Sequence, residues 1–172
     1  MTDFRYAKSQ IFVHWIAAAL ITFLLVTGTL VLAEMPNTVE KIGNFRIHMI
    51  LGTLAGVLVL VRIVLRKFLP AAPPVQGEKL AHLGHMAINL VVLVLVFSGV
   101  ALSLQSGTFD AVFGTGALPA NFDDQVLRKV HGLASRLTMG LIALHILAAL
   151  YHQLIVKDRL LSRMGLGSKH VD

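Results

Sequence analysis

The chain carries eight histidines and no cysteine. Without thiols there can be no disulfide, thiolate zinc site, iron–sulfur cluster or C-x-x-C-H attachment of covalent haem, so any metal must be held by imidazole or oxygen. Seven of the histidines, His14, His48, His82, His85, His131, His145 and His152, fall in or at the edges of long apolar runs, and only His170 stands in a polar tail. Ionisable groups are costly in lipid, so such residues mark function or require partners. His131 and His145 are 14 residues apart. On a helix that spacing is about 21 Å of rise and about 1400° of rotation, about 40° short of four full turns. The two imidazoles therefore share one helix face near opposite ends, which suits a pair of metal sites at different depths.

The elements that must position them are apolar runs over 11–33, 47–65, 80–104 and 130–156. Each is long enough for a transmembrane helix, and none contains Asp or Glu. All five prolines, Pro36, Pro70, Pro73, Pro74 and Pro119, lie between the runs, where helix breakers belong. Val31-Leu32-Ala33 has the look of a cleavage site, but the first run exceeds the usual h-region of a signal peptide. It is expected to stay as a span. At 172 residues, 56% hydrophobic and 14% charged, with a mean hydropathy of +0.76, the chain reads as one membrane domain over 1–172. The expected fold is all-α, an integral membrane four-helix bundle. Arg5, Lys8, Arg62, Arg66, Lys67, Lys79, Lys157, Arg159, Arg163 and Lys169 fall on the side of the termini; Lys41, Arg46, Arg128, Lys129 and Arg136 fall on the other. That asymmetry places both termini in the cytoplasm. It also accounts for the net charge of +6, which removes the reason to invoke nucleic acid. The longest connection, 104–128, then lies outside.

Depth supplies partners for the fourth-helix histidines. The first helix runs outward and places His14 about a turn inside the cytoplasmic boundary, whereas the second runs inward and places His48 about a turn inside the outer one. His14 can meet His145, and His48 can meet His131. Two bis-histidine sites stacked in a four-helix core are the arrangement expected for two b haems. Depth alone leaves His85 as an alternative to His14. Gly28 follows His14 by 14 residues, and Gly52 and Gly56 follow His48 along one stripe, where missing side chains leave room for a planar cofactor. Ala134, Ser135 and Thr138 are similarly small, although small residues also serve helix packing. Arg62, 14 residues after His48, sits at the inner depth and could pair with a propionate or snorkel to the interface. His82, His85 and Asn89 form one stripe of the third helix, and His152 lies two turns beyond His145. His85 and His152 are candidate contacts for quinone carbonyls and their protons, while His82 fits an interfacial histidine equally well.

These residues resemble the bacterial cytochrome b561 family of di-haem inner-membrane proteins, which includes a superoxide oxidase type. The matching pieces are HW at His14-Trp15, IH at Ile47-His48, VR-x-x-x-R over 61–66 and LAHLGH over 80–85. NF at Asn121-Phe122, His131, LH-x-x-AA over 144–149 and His152 before Lys157-Asp158 continue the likeness. The resemblance implies His14 with His145, and His48 with His131, as axial ligands, and a cytoplasmic-side ubiquinone site at His85 and His152. It implies electron transfer from periplasmic superoxide to ubiquinone across the bacterial inner membrane. Arg136 departs from that pattern, and its charge either tunes the outer site or marks a different donor. The competing expectations are a cytochrome b conduit that docks a periplasmic redox partner, and a haem-free transporter or assembly factor. The lack of carboxylates in the spans counts against cation transport.

Overall fold

The computed structural model describes residues 4–70, 72–73, 78–158 and 160–166; Pro74, Arg159, Lys169 and His170 lie outside them. Those residues form α1 (Lys8–Thr27), α2 (Val39–Phe68), α3 (Glu78–Gln105), α4 (Thr108–Phe113), α5 (Val126–Tyr151) and α6 (Leu160–Arg163), with no strand among them. Two π-helical segments, Gly28–Leu32 and His152–Val156, extend α1 and α5. Four stretches are long and apolar enough to cross a membrane: Lys8–Leu32, Val39–Phe68, Lys79–Gln105 and Val126–Val156. The four expected spans are present, each extended at one or both ends. The added turns are the polar ones. α2 begins eight residues before its apolar run, through Glu40, Lys41 and Arg46, because charged residues outside the hydrocarbon can still continue a helix. Glu40 in its first turn and Arg66 and Lys67 in its last complement the helix dipole. Pro70 then forbids a further turn.

Both chain ends meet at one end of the bundle, here the terminal end. The Tyr6 N–H donates to the Arg163 carbonyl at 3.1 Å. The Trp15 indole donates to the Met164 carbonyl at 2.9 Å. Arg163 reaches the Pro73 carbonyl in the α2–α3 connection at 3.3 Å. The opposite, loop end is closed by the segment after α3. Gly107, at φ 73°, makes the left-handed turn that starts α4. Thr108, Ala111 and Val112 of α4 are buried, and Arg46 holds the cap by donating to the Val112 carbonyl from Nε at 3.2 Å and Nη2 at 2.7 Å. Asn37 donates to the Pro119 and Ala120 carbonyls at 3.0 and 3.3 Å, and Phe45 meets Phe122 edge-on. A connection that read as open loop is thus an ordered cap. Its helix has six residues, too short to show a period in the sequence.

α1 packs on α2, α2 on α3 and α3, most extensively, on α5. Ile21, Leu24, Leu25, Ala55, Val59 and Val92 form the apolar centre of the bundle. In sequence these residues lie between His14 and Gly28, between His48 and Arg62, and between His85 and Ser98. The core therefore separates a histidine layer at each end. The outward faces expose Phe23, Leu54, Leu90, Phe97, Leu144 and Leu147, as helices solvated by lipid must.

Candidate functional site

At the loop end α2 and α5 bring His48 and His131 together with ring centroids 6.3 Å apart and planes at 73°. At the terminal end α1 and α5 bring His14 and His145 to 6.4 Å and 69°. With metal–nitrogen bonds of about 2.0 Å, two imidazoles on opposite sides of one iron have centroids roughly 6 Å apart. Both pairs have that spacing. His85 also faces His145, at 5.1 Å, closer than the trans arrangement needs, so the spacing favours His14 over His85 as the partner of His145. Among the described residues no group of three or more His, Asp or Glu side chains converges as a bare metal ion would require. The chemistry of the donor set is paired imidazoles.

The loop-end pair has further features that suit a large apolar ligand. The Nδ1 of His48 is buried without a hydrogen-bond partner. A cavity of about 120 Å³ lies against His48, lined by Phe23, Leu24, Thr27, Val31, Leu32 and Asn44 among others. Gly28 opens the π-helical segment here, and a Cβ on it would lie 3.3 Å from His48 Cε1. π-Helical turns tend to occur at functional sites. The Thr29 hydroxyl bonds back to the Leu25 carbonyl within the same stretch. Gly52 has nothing within 4 Å of a Cβ position, so it borders open space beside the same stripe. Gly56 does not: its Cβ would sit 2.8 Å from Val96 Cγ1, which makes it an α2–α3 packing contact. Ala134 and Thr138 are also buried in the packing of α5.

Around the terminal-end pair, Arg62 turns inward, and its Nη1 donates to Asn89 Oδ1 at 3.2 Å. That contact joins α2 to α3 one turn past His85 and is not the snorkelling arrangement. His82 is exposed and pairs with Arg66 at 3.1 Å, as an interfacial histidine does. His152 opens the second π-helical segment, and its Nδ1 lies 2.6 Å from Asp158 Oδ2. Lys157, at φ 59°, turns the chain back so that Asp158 can reach it. The other carboxylate oxygen, Asp158 Oδ1, and Gln153 Oε1 are buried without partners. Sequence reasoning overlooked Asp158 as the partner of His152, because a pair six residues apart is off register in a regular α-helix and needs the π turn to close. It also overlooked Leu95, Ser98 and Gly99 of α3. His131 Nδ1 lies 2.9 Å from the Leu95 carbonyl and 3.3 Å from Ser98 Oγ.

Two cations of the loop end are held by neutral oxygens. Lys41, 4% exposed, donates to the Met35 carbonyl at 2.7 Å and to Asn37 Oδ1 at 2.9 Å, and Arg46 is bound to the Val112 carbonyl as above. Among the described residues the ion pair is His152 with Asp158. Glu34, Glu40, Asp110, Asp123 and Asp124 therefore leave the charges of Lys41 and Arg46 without a carboxylate contact. Arg136 is exposed on α5.

The chain matches the family described as Prokaryotic cytochrome b561 over residues 5–167. It is 30% identical over 169 residues to a probable superoxide oxidase CybB of Yersinia pestis, covering 93% of this chain and 95% of that one. It is 29% identical to cytochrome b561 homolog 1 of Escherichia coli strain K12, over 93% of this chain and 96% of the relative. Against cytochrome b562 of Cereibacter sphaeroides the identity is 31%, over 92% and 94%. No solved structure matches the chain.

Proposed function

Because the chain belongs to the prokaryotic cytochrome b561 family of haem b-binding membrane cytochromes, we propose that it carries electrons across the bacterial inner membrane from superoxide to ubiquinone. Each of two superoxide ions loses one electron to become dioxygen, and one ubiquinone takes up both electrons with two protons. The observation that carries this reading is the pair of imidazoles at each end of the bundle, 6.3 and 6.4 Å apart. Two b haems held there would supply a one-electron path between the two faces. His48 and His131 would hold the loop-end haem, and His14 and His145 the terminal-end one. A haem held by imidazole from both sides would supply electron transfer without ligand binding. The loop end faces the periplasm and both termini face the cytoplasm, in line with the basic asymmetry of the sequence.

The rest of the chain has roles on this reading. Gly28 admits the His48 ring, Gly52 leaves room beside it, and the Arg62 guanidinium, positioned by Asn89, is a partner for a propionate carboxylate. Lys41 and Arg46 keep unpaired positive charge at the loop end, which raises the encounter rate with an anion. The name of the Yersinia pestis relative supports superoxide as that anion. At the terminal end His85 and His152 meet ubiquinone. Asp158 accepts the Nδ1–H of His152 and fixes the orientation of the ring, leaving Nε2 to face the quinone oxygen.

The deciding experiment supplies enzymatically generated superoxide to purified, haem-loaded protein with ubiquinone present. Haem reduction and quinol formation above the spontaneous background are expected. If neither occurs, the superoxide reading is rejected. Co-purification of a periplasmic redox protein would then favour an electron conduit. A preparation from haem-replete cells without Soret or α bands would reject both.

A further inference from the structure

α3 contributes no histidine to the loop-end pair, yet its backbone grips one. His131 Nδ1 lies 2.9 Å from the Leu95 carbonyl. Ser98, 6% exposed, donates to the same carbonyl at 3.0 Å, and its Oγ is 3.3 Å from the ring nitrogen. Glycine at 99 admits the ring: a Cβ there would sit 2.9 Å from His131 Cε1 and 3.2 Å from Nδ1. A carbonyl accepts only from a protonated Nδ1, so the contact fixes the tautomer and leaves the Nε2 lone pair free for iron. The other ligand positions lack this support. His48 Nδ1 is buried and unpartnered, and among the described residues His14 and His145 make ring contacts but no hydrogen bond.

We propose that Leu95 and Gly99 are positioning residues that make His131 the most strongly electron-donating of the four imidazoles, with Ser98 tempering the contact by sharing the Leu95 carbonyl, so that the loop-end haem has the lower potential of the two. The inference rests on the two-haem reading above. An Nδ1–H bound to a carbonyl raises the basicity of the ligating nitrogen and favours the oxidised metal. At the other end the fixed positive charge of Arg62, bonded to Asn89 next to His85, favours the reduced one. Both effects slope the path from the loop end to the terminal end. The polar contacts of α3 would thus set the direction of flow without α3 supplying a loop-end ligand.

The test is a spectroelectrochemical titration of purified haem-loaded protein. The wild type is expected to show two waves, and His131→Ala should remove the lower one. Gly99→Ala pushes the ring off the Leu95 carbonyl and should raise the lower midpoint while leaving the upper in place. Ser98→Ala removes the donor that competes for the same carbonyl and should shift that midpoint the other way. Opposite shifts confined to one wave are not what general loosening of the bundle produces. If Gly99→Ala loses haem altogether, Ser98→Ala decides alone. Unmoved waves, two waves moving together, or loss of the upper wave in His131→Ala would overturn the proposal with the two-haem reading intact. A single wave in the wild type, or two waves retained in His131→Ala, would reject the two-haem assignment itself and this proposal with it.

Discussion

Replacing either member of a histidine pair separates ligand from bystander. His48→Ala or His131→Ala should halve the haem content per chain by removing the loop-end haem, and His14→Ala or His145→Ala should halve it from the terminal end. His85→Ala should keep both haems, since its 5.1 Å approach to His145 is too close for the trans arrangement. Haem quantitation with redox difference spectra reads all five, and full retention in any of the first four removes that residue from the ligand set. Asp158→Asn leaves His152 Nδ1 without a carboxylate. Positioned proton donors contribute about 10²–10⁴-fold, so quinone reduction should slow by roughly tenfold or more, in kcat rather than in KM, with the haem spectrum unchanged. A normal turnover would take the pair out of the quinone site. At this scale the histidines were legible because imidazole is conspicuous in an apolar run. Asp158, Ser98 and Gly99 were not, because their meaning lies in a π turn and an interhelical approach that no spacing rule encodes.

Helix contacts are set by smaller residues. Gly56→Ala would place a Cβ 2.8 Å from Val96 Cγ1, and overpacking of this kind costs about 1–3 kcal/mol. Gly52→Ala meets nothing within 4 Å and should leave the stability of the haem-free protein within about 1 kcal/mol, since alanine is the better helix former. Thermal unfolding in detergent distinguishes the two, and equal losses would contradict the assignment of Gly56 alone to packing. The sequence placed both glycines on one stripe, and only the approach of α3 tells them apart. The cap over the loop end is held through Arg46. Arg46→Ala leaves the Val112 carbonyl unpaired, and hydrogen bonds to charged groups contribute about 1.5–3 kcal/mol. Hydrogen exchange in α4 and the residues after it should rise, with α1 and α3 unaffected. Unchanged protection there would mean that Asn37 and the Phe45–Phe122 contact suffice.

For the whole molecule, the charge distribution makes a kinetic prediction. Positive charges at the loop end attract an anionic donor through the solvent, and salt screens that attraction over about 8–10 Å at physiological ionic strength. The second-order rate of haem reduction by superoxide should therefore fall as ionic strength rises, with quinone reduction at the other end far less affected. A flat salt dependence would remove steering from the account. The amino-acid sequence by itself determined the medium, the number of spans and the depths of the histidines. These follow from apolar length and from the fixed rise per residue of a helix, which are properties of single segments. Which imidazoles meet, which glycines touch a neighbour, how the long connection folds over the loop end and which backbone oxygen takes the Nδ1 proton of His131 were decided only by tertiary structure. Each depends on the rotation and separation of two helices, and those are set by all their packed side chains together.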